Sequence, residues 1–147
     1  VRVSIPWKIV EPRQGEWDFR IPDRVFELAE PSGVEILLSI GCDQTPAWGT
    51  PVSRHPEEFL AFFRQCVERY GRKVRYIEVF NEPNLLRFWQ EPPNPEAYAE
   101  LLKKAAALEI ASVCPLHGPQ LSGDALAHAL ELYGHWAAWT RAIWKPP

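Results

Sequence analysis

Four apolar runs of strand character begin near positions 1, 34, 74 and 116, with a helical pattern following each of them. This alternation constrains the fold more than any other feature of the chain. Each β-loop-helix unit has the span of a βαβ repeat, and continuous apolar strands interleaved with amphipathic helices imply a parallel sheet covered on both faces. The expected strands are 1–6, 34–40, 74–80 and a weaker 116–121. The expected helices are 21–29, begun by Pro22-Asp23 and stopped by Pro31, Ser32 and Gly33; 56–70; 95–113 with Asn94 as N-cap; and 124–133. The second helix is the best signalled. Pro56 suits a first helical position, Glu57 and Glu58 complement the positive end of the dipole, and Gly71, Arg72 and Lys73 close the other end. Phe59, Phe62, Phe63, Cys66, Val67 and Tyr70 make one apolar stripe at helical spacing.

No G-x-G-x-x-G and no phosphate-binding lysine loop follows any strand, which disfavours the nucleotide folds. A (β/α)8 barrel, the TIM architecture, fits the repeat but takes about 250 residues. The 147 residues here hold four units. The expected fold class is therefore α/β, a parallel (β/α) half-barrel that is a fragment of a TIM barrel. Its outer strands would be open edges, through which the chain could self-associate. Hydrophobic residues at 46% and charged ones at 24% are the composition of a soluble globular domain. A net charge of -3 without a basic run argues against a nucleic-acid partner. No apolar run reaches the length of a membrane span, and no signal-peptide pattern opens the chain. Cys42, Cys66 and Cys114 are too scattered for a disulfide framework or a zinc site and read as small buried hydrophobes. No metal and no cofactor is expected. The chain contains no Met and starts inside a strand-like V-R-V-S-I-P-W, so a missing N-terminal portion is expected and the cellular location is unreadable.

The third strand runs into Asn81-Glu82-Pro83-Asn84. Pro83 cannot continue a ladder, and its ring favours an extended backbone at Glu82. A carboxylate and an amide are thus placed at a strand's C-terminal end, where parallel α/β folds open onto their ligands; the alternative is an ordinary polar turn. Trp7, Trp48 and Trp89 fall at or after successive strand exits. Indole faces pack well against pyranose rings; a single Trp reads first as loop or core packing, and it is the three together beside Glu82 that point to a carbohydrate cleft. Glu78 shares a strand face with Glu82. Inside a barrel it would need a partner, for which Arg2 is the candidate; otherwise it is a solvated charge on an outward edge.

These stretches resemble the clan A glycoside hydrolases. V-R-V-S-I-P-W-K-I-V-E-P-R-Q-G-E-W-D-F is similar to their second-strand region, P-A-W at Pro46 to Trp48 to the loop after their third strand, and Y-I-E-V-F-N-E-P-N-L-L-R-F-W to their fourth strand, particularly in xylosidase-like family 39 and cellulase-like family 5. P-N-P-E-A-Y-A-E-L-L resembles the helix that follows. The likeness spans residues 1 to about 113, which we assign to a partial glycosidase barrel, with 114–147 as a possible further βα unit and an atypical tail. The resemblance implies hydrolysis of β-glycosides by a retaining two-carboxylate mechanism that needs no metal or organic cofactor. Glu82 matches the general acid/base, Asn81 the residue that hydrogen-bonds the sugar 2-hydroxyl, and Arg2 the strand-two arginine. The family nucleophile lies at the end of a seventh strand, which this chain does not reach. Glu91, Glu96, Glu109 and Glu131 fall in helices or loops and do not substitute for it. The alternative is therefore an inactive truncated barrel fragment that at most binds carbohydrate. The tail H-W-A-A-W-T-R-A-I-W-K-P-P has no counterpart in the family, as a shifted reading frame or a truncated gene would produce.

Overall fold

The computed structural model describes residues 1–43 and 45–108 of the chain. The expected strand 116–121, the helix 124–133, the end of helix 95–113, Cys114 and the segment 114–147 lie outside the described residues.

Three strands form one sheet in the order β1 (Arg2–Ile5), β2 (Leu37–Ile40), β3 (Tyr76–Val79), all parallel. Each is shorter than its apolar run, whose flanking residues lie outside the ladder. The register sets Ser4 beside Ser39 and Ser39 beside Glu78, with Ile5, Ile40 and Val79 on the next rung. Alternation along a strand then separates two faces. Val3, Ile5, Leu38, Ile40, Ile77 and Val79 point to the helices and join the apolar core. Arg2, Ser4, Ser39 and Glu78 lie on the opposite face. Of the sheet expected to be covered on both faces, one face is apolar and packs on the helices, and the other carries charge.

A short helix α1 (Trp7–Val10) follows β1, and α2 (Arg20–Ala29) and α3 (Pro56–Tyr70) precede β2 and β3. The stripe on α3 is the centre of the core. Phe59, Phe62, Phe63 and Cys66 are fully buried and Tyr70 almost so, each such aromatic contributing on the order of 2 kcal/mol by burial. Phe62 stacks on Trp7 and Tyr70 on Phe26 of α2. After the 3-10 turn Glu30–Ser32 that follows α2, Gly33 takes a left-handed backbone, in keeping with the stop read there. Beyond β3 come α4 (Leu86–Trp89) and α5 (Pro95–Ala106). Asn94 caps α5, its Oδ1 accepting a hydrogen bond from the backbone N–H of Ala97 at 3.0 Å. Two short elements, α1 and α4, had no signature in the sequence: one helical turn is too brief to show a period.

Gly41, the first residue past β2, is the tightest backbone point. Its φ is +83°, and a Cβ there would lie 2.5 Å from the Phe59 ring and 3.0 Å from that of Phe80. Only glycine lets β2 turn out of the sheet against α3.

Candidate active site

The polar residues converge where the strands end. Arg2 reaches along the sheet from β1. Its Nε donates to Glu78 Oε2 at 2.8 Å, and its guanidinium also donates to Ser39 Oγ at 3.0 Å and to Asn81 Oδ1 at 2.6 Å. The pair Arg2–Glu78 considered from the sequence is therefore present, 2.7 Å apart at its closest. Glu78 is 2% exposed. A carboxylate buried to that degree stays charged only with a cation and donors around it, and the reading of Glu78 as a solvated edge charge is excluded.

Arg2 also fixes Asn81. A guanidinium only donates, so the amide must turn Oδ1 towards Arg2 and leave Nδ2 facing the other way. Nδ2 then lies 3.2 Å from Glu82 Oε2 and donates to it. Asn81 is 8% exposed, whereas Glu82 is half-buried. A chain of hydrogen bonds thus runs Glu78–Arg2–Asn81–Glu82, from within the sheet to its mouth.

The backbone at this mouth departs from expectation. Glu82 has φ +45° and Phe80 φ +62°, so Pro83 does not hold Glu82 extended. Two left-handed non-glycine residues cost of order 1–2 kcal/mol each, and local contacts hold them. Phe80 and Asn81 extend the ladder, their N–H groups donating to Ile40 O at 2.8 Å and Gly41 O at 3.0 Å. The Phe80 ring packs edge-on against Phe59 and Trp89. Leu85 N–H donates to Glu82 O at 2.9 Å, closing the turn. The hydrogen bonding of the ladder and the burial of Phe80 outweigh the proline's preference.

The three tryptophans part company. Trp7 and Trp89 are each 1% exposed. Trp7 is enclosed by Phe59, Phe62 and Trp48, and Trp89 by Phe80 and Tyr98. Neither offers a face to a ligand, so their assignment as sugar platforms is corrected: each is a large apolar side chain at the end of a short helix, and burial won. Trp48 is half-buried, with its indole N–H donating to Glu11 O at 2.9 Å, and it alone of the three keeps exposed surface.

Two acids that sequence reasoning passed over brace the same end of the sheet. Glu11 is 3% exposed and accepts from Trp7 Nε1 at 2.7 Å and from Gly15 N at 2.8 Å. It holds the 11–19 loop against α1, tying Gly15 back to Glu11 across the E-P-R-Q-G run. Asp43, just past β2, accepts from Trp7 N at 2.8 Å through Oδ1. Its Oδ2 is buried without a hydrogen-bond partner among the described residues, and Lys8 Nζ stands 3.8 Å away. Burial pushes the Asp43 carboxyl above the usual range; burial likewise raises the neighbouring Cys42 thiol, making it a poor nucleophile. The only sign of Asp43 in the sequence was its place after a strand. Among the described residues no cluster of His, Cys, Asp and Glu could hold a metal ion, and no helix is long and apolar enough to cross a membrane.

The stretch that carries this arrangement matches a family of known proteins. The family model described as beta-galactosidase, glycoside hydrolase family 42, matches residues 1–86, a stretch that includes all three strands and Arg2, Asn81 and Glu82. No curated protein matches the chain. Among solved structures, a family 39 glycoside hydrolase from the gut symbiont Bacteroides cellulosilyticus WH2 is similar, at 21% identity and a TM-score of 0.55, over 78% of this chain and 25% of that one. The chain therefore spans about a quarter of that protein's length. At such identity the likeness speaks for the fold, a small α/β unit with a parallel sheet that corresponds to part of a glycoside hydrolase. The match over more than half of the sequence makes the chain a member of glycoside hydrolase family 42, the beta-galactosidase family.

Proposed function

We propose that this chain supplies the acid/base half of a retaining glycoside hydrolase acting on β-glycosides, and that its three strands belong to a partial (β/α) barrel over residues 1–113, part of a half-barrel. The observation that carries the reading is the Arg2–Asn81–Glu82 relay at the exit of β3. Glu82 protonates the glycosidic oxygen as the bond to the anomeric carbon breaks. As a carboxylate it then takes a proton from the water that releases the sugar. Asn81, its amide turned by Arg2, directs Nδ2 to the mouth, where a sugar 2-hydroxyl next to the reacting carbon can accept a hydrogen bond. Trp48 is the remaining candidate platform for a ring.

A retaining mechanism needs a second carboxylate roughly 5 Å from the first. The other buried acids are committed elsewhere. Glu11 binds Trp7 and Gly15, Glu78 binds Arg2, and Asp43 turns Oδ1 to Trp7. Glu91 is engaged by Ser53 and Arg54. These commitments favour a second reading for the chain by itself: it binds carbohydrate without turning it over. The test is an assay of the purified chain on aryl β-galactosides, β-glucosides and β-xylosides. We expect no turnover above that of Glu82→Gln. Robust turnover abolished by Glu82→Gln would refute the one-carboxylate reading, and robust turnover indifferent to it would refute the role of Glu82.

A further inference from the structure

The loop 11–19 and the helices α2 and α3 border a pocket of about 570 Å³ that shares no residue with the Glu82 network. Its size is that of small-ligand sites. Trp17, Asp18 and Phe19 line it from the loop, Arg20 and Asp23 from α2, and Gln65 and Arg69 from α3. Phe19 is 9% exposed; Trp17 stacks on it, and the Arg69 guanidinium lies 5.0 Å from its ring centre. Half-buried Trp17 is left as the apolar wall that a ligand meets. The charges of the pocket cancel in pairs. Arg20 donates through Nε and Nη2 to Asp18 at 2.8 and 2.5 Å, and Arg69 donates in the same way to Asp23 at 2.7 and 2.6 Å. Each fork is thereby held flat, with Nη1 turned away from its carboxylate. Gln65 is half-buried, and its amide makes no hydrogen bond to another of the described residues.

We propose that this pocket binds a neutral oligosaccharide, as a carbohydrate site apart from the one at Glu82. An indole face is apolar and packs against the C–H face of a pyranose ring. A carboxamide has both donors and an acceptor, so Gln65 can give to one hydroxyl of a vicinal pair and accept from its neighbour. A half-buried amide left unpaired by the protein gains most from such a partner. The two ion pairs offer fixed N–H donors and carboxylate oxygens to further hydroxyls, without a net field that would draw an ion. A fully apolar ligand would strand these polar groups, and an anion would have to part an aspartate from its arginine. The lining therefore selects a ligand that is neutral and rich in hydroxyls. Binding here does not depend on the role of Glu82.

NMR titration of the tryptophan indole N–H signals tests the proposal, the Trp17 signal being the one absent from Trp17→Phe. The probes are xylotetraose, cellotetraose and β-1,4-galactotetraose, with tetragalacturonate as an anionic counterpart. We expect at least one neutral probe to shift the Trp17 signal with a Kd of about 1 mM. Gln65→Ala, which removes the amide and leaves a good helix former, should weaken that binding about tenfold with circular dichroism unchanged. Tetragalacturonate should bind more weakly than the best neutral probe. Glu82→Gln should leave the Trp17 titration as it is, which separates this pocket from sugar held at the exit of β3. A Trp17 signal that none of the neutral probes moves would overturn the proposal. So would a titration indifferent to Gln65→Ala, one abolished by Glu82→Gln, or tighter binding of tetragalacturonate.

Discussion

Removing the Arg2 guanidinium would leave Glu78 buried with no cation, and the cost should exceed that of an ordinary ion pair. Arg2 is itself 39% exposed, so water would repay part of the loss. We expect Arg2→Met to destabilise the chain by about 2–3 kcal/mol in urea denaturation, and Arg2→Met combined with Glu78→Gln to cost less than the single change. The same substitution frees the Asn81 amide, so any binding of a sugar at Glu82 should weaken with it. A second charged cluster makes a prediction in pH. Arg69 donates twice to Asp23 and Tyr70 donates once, holding the Asp23 carboxyl below the usual range. A lowered folded pKa gives stability that is present above the unfolded carboxylate pKa and lost as the pH falls through the folded one. Asp23→Asn should therefore destabilise the chain near pH 7 by about 1 kcal/mol, and the gap between variant and parent should close below about pH 4.

At the scale of elements, the exits of β2 and β3 are locked together by Gly41, Phe59 and Phe80. Gly41→Ala would drive a methyl into the Phe59 ring at a backbone angle that alanine disfavours, and should cost about 2–4 kcal/mol; thermal unfolding measures it. The strands and long helices were legible because their signals are repeated: α3 carries five buried side chains on one stripe and a proline start, and the three strands share a length scale. What escaped was decided by packing. Trp7 and Trp89 look like ligand platforms when only their distance from a strand end is known, yet short helices with no period of their own turn both inward. Pro83 promised an extended Glu82, but the hydrogen bonds of Phe80 and Asn81 to β2 fixed a left-handed exit instead. Asn81 and Glu82 stand out in the sequence because a strand that ends on charge breaks its own pattern. Asp43 does not, since a lone aspartate after a strand is also what a turn contains.

For the whole molecule, the asymmetry of the sheet matters most. One face is closed by α3 and its aromatic stripe, while the other carries Arg2, Ser39 and Glu78 in a bonded network. A polar sheet face of this kind suits the inside of a barrel, where charged side chains pair across strands and lead to the mouth. We accordingly expect the chain to act with further strands rather than alone. General acid catalysis contributes about 10²–10⁴-fold, which falls far short of the acceleration of glycosidases. The direct test is to mix this chain with a separately produced half-barrel of a family 42 enzyme that carries the nucleophile, and to measure hydrolysis of an aryl β-galactoside. The account predicts turnover by the mixture that neither part shows alone, lost with Glu82→Gln and kept with Glu91→Gln. A mixture equally active with Glu82→Gln would contradict it.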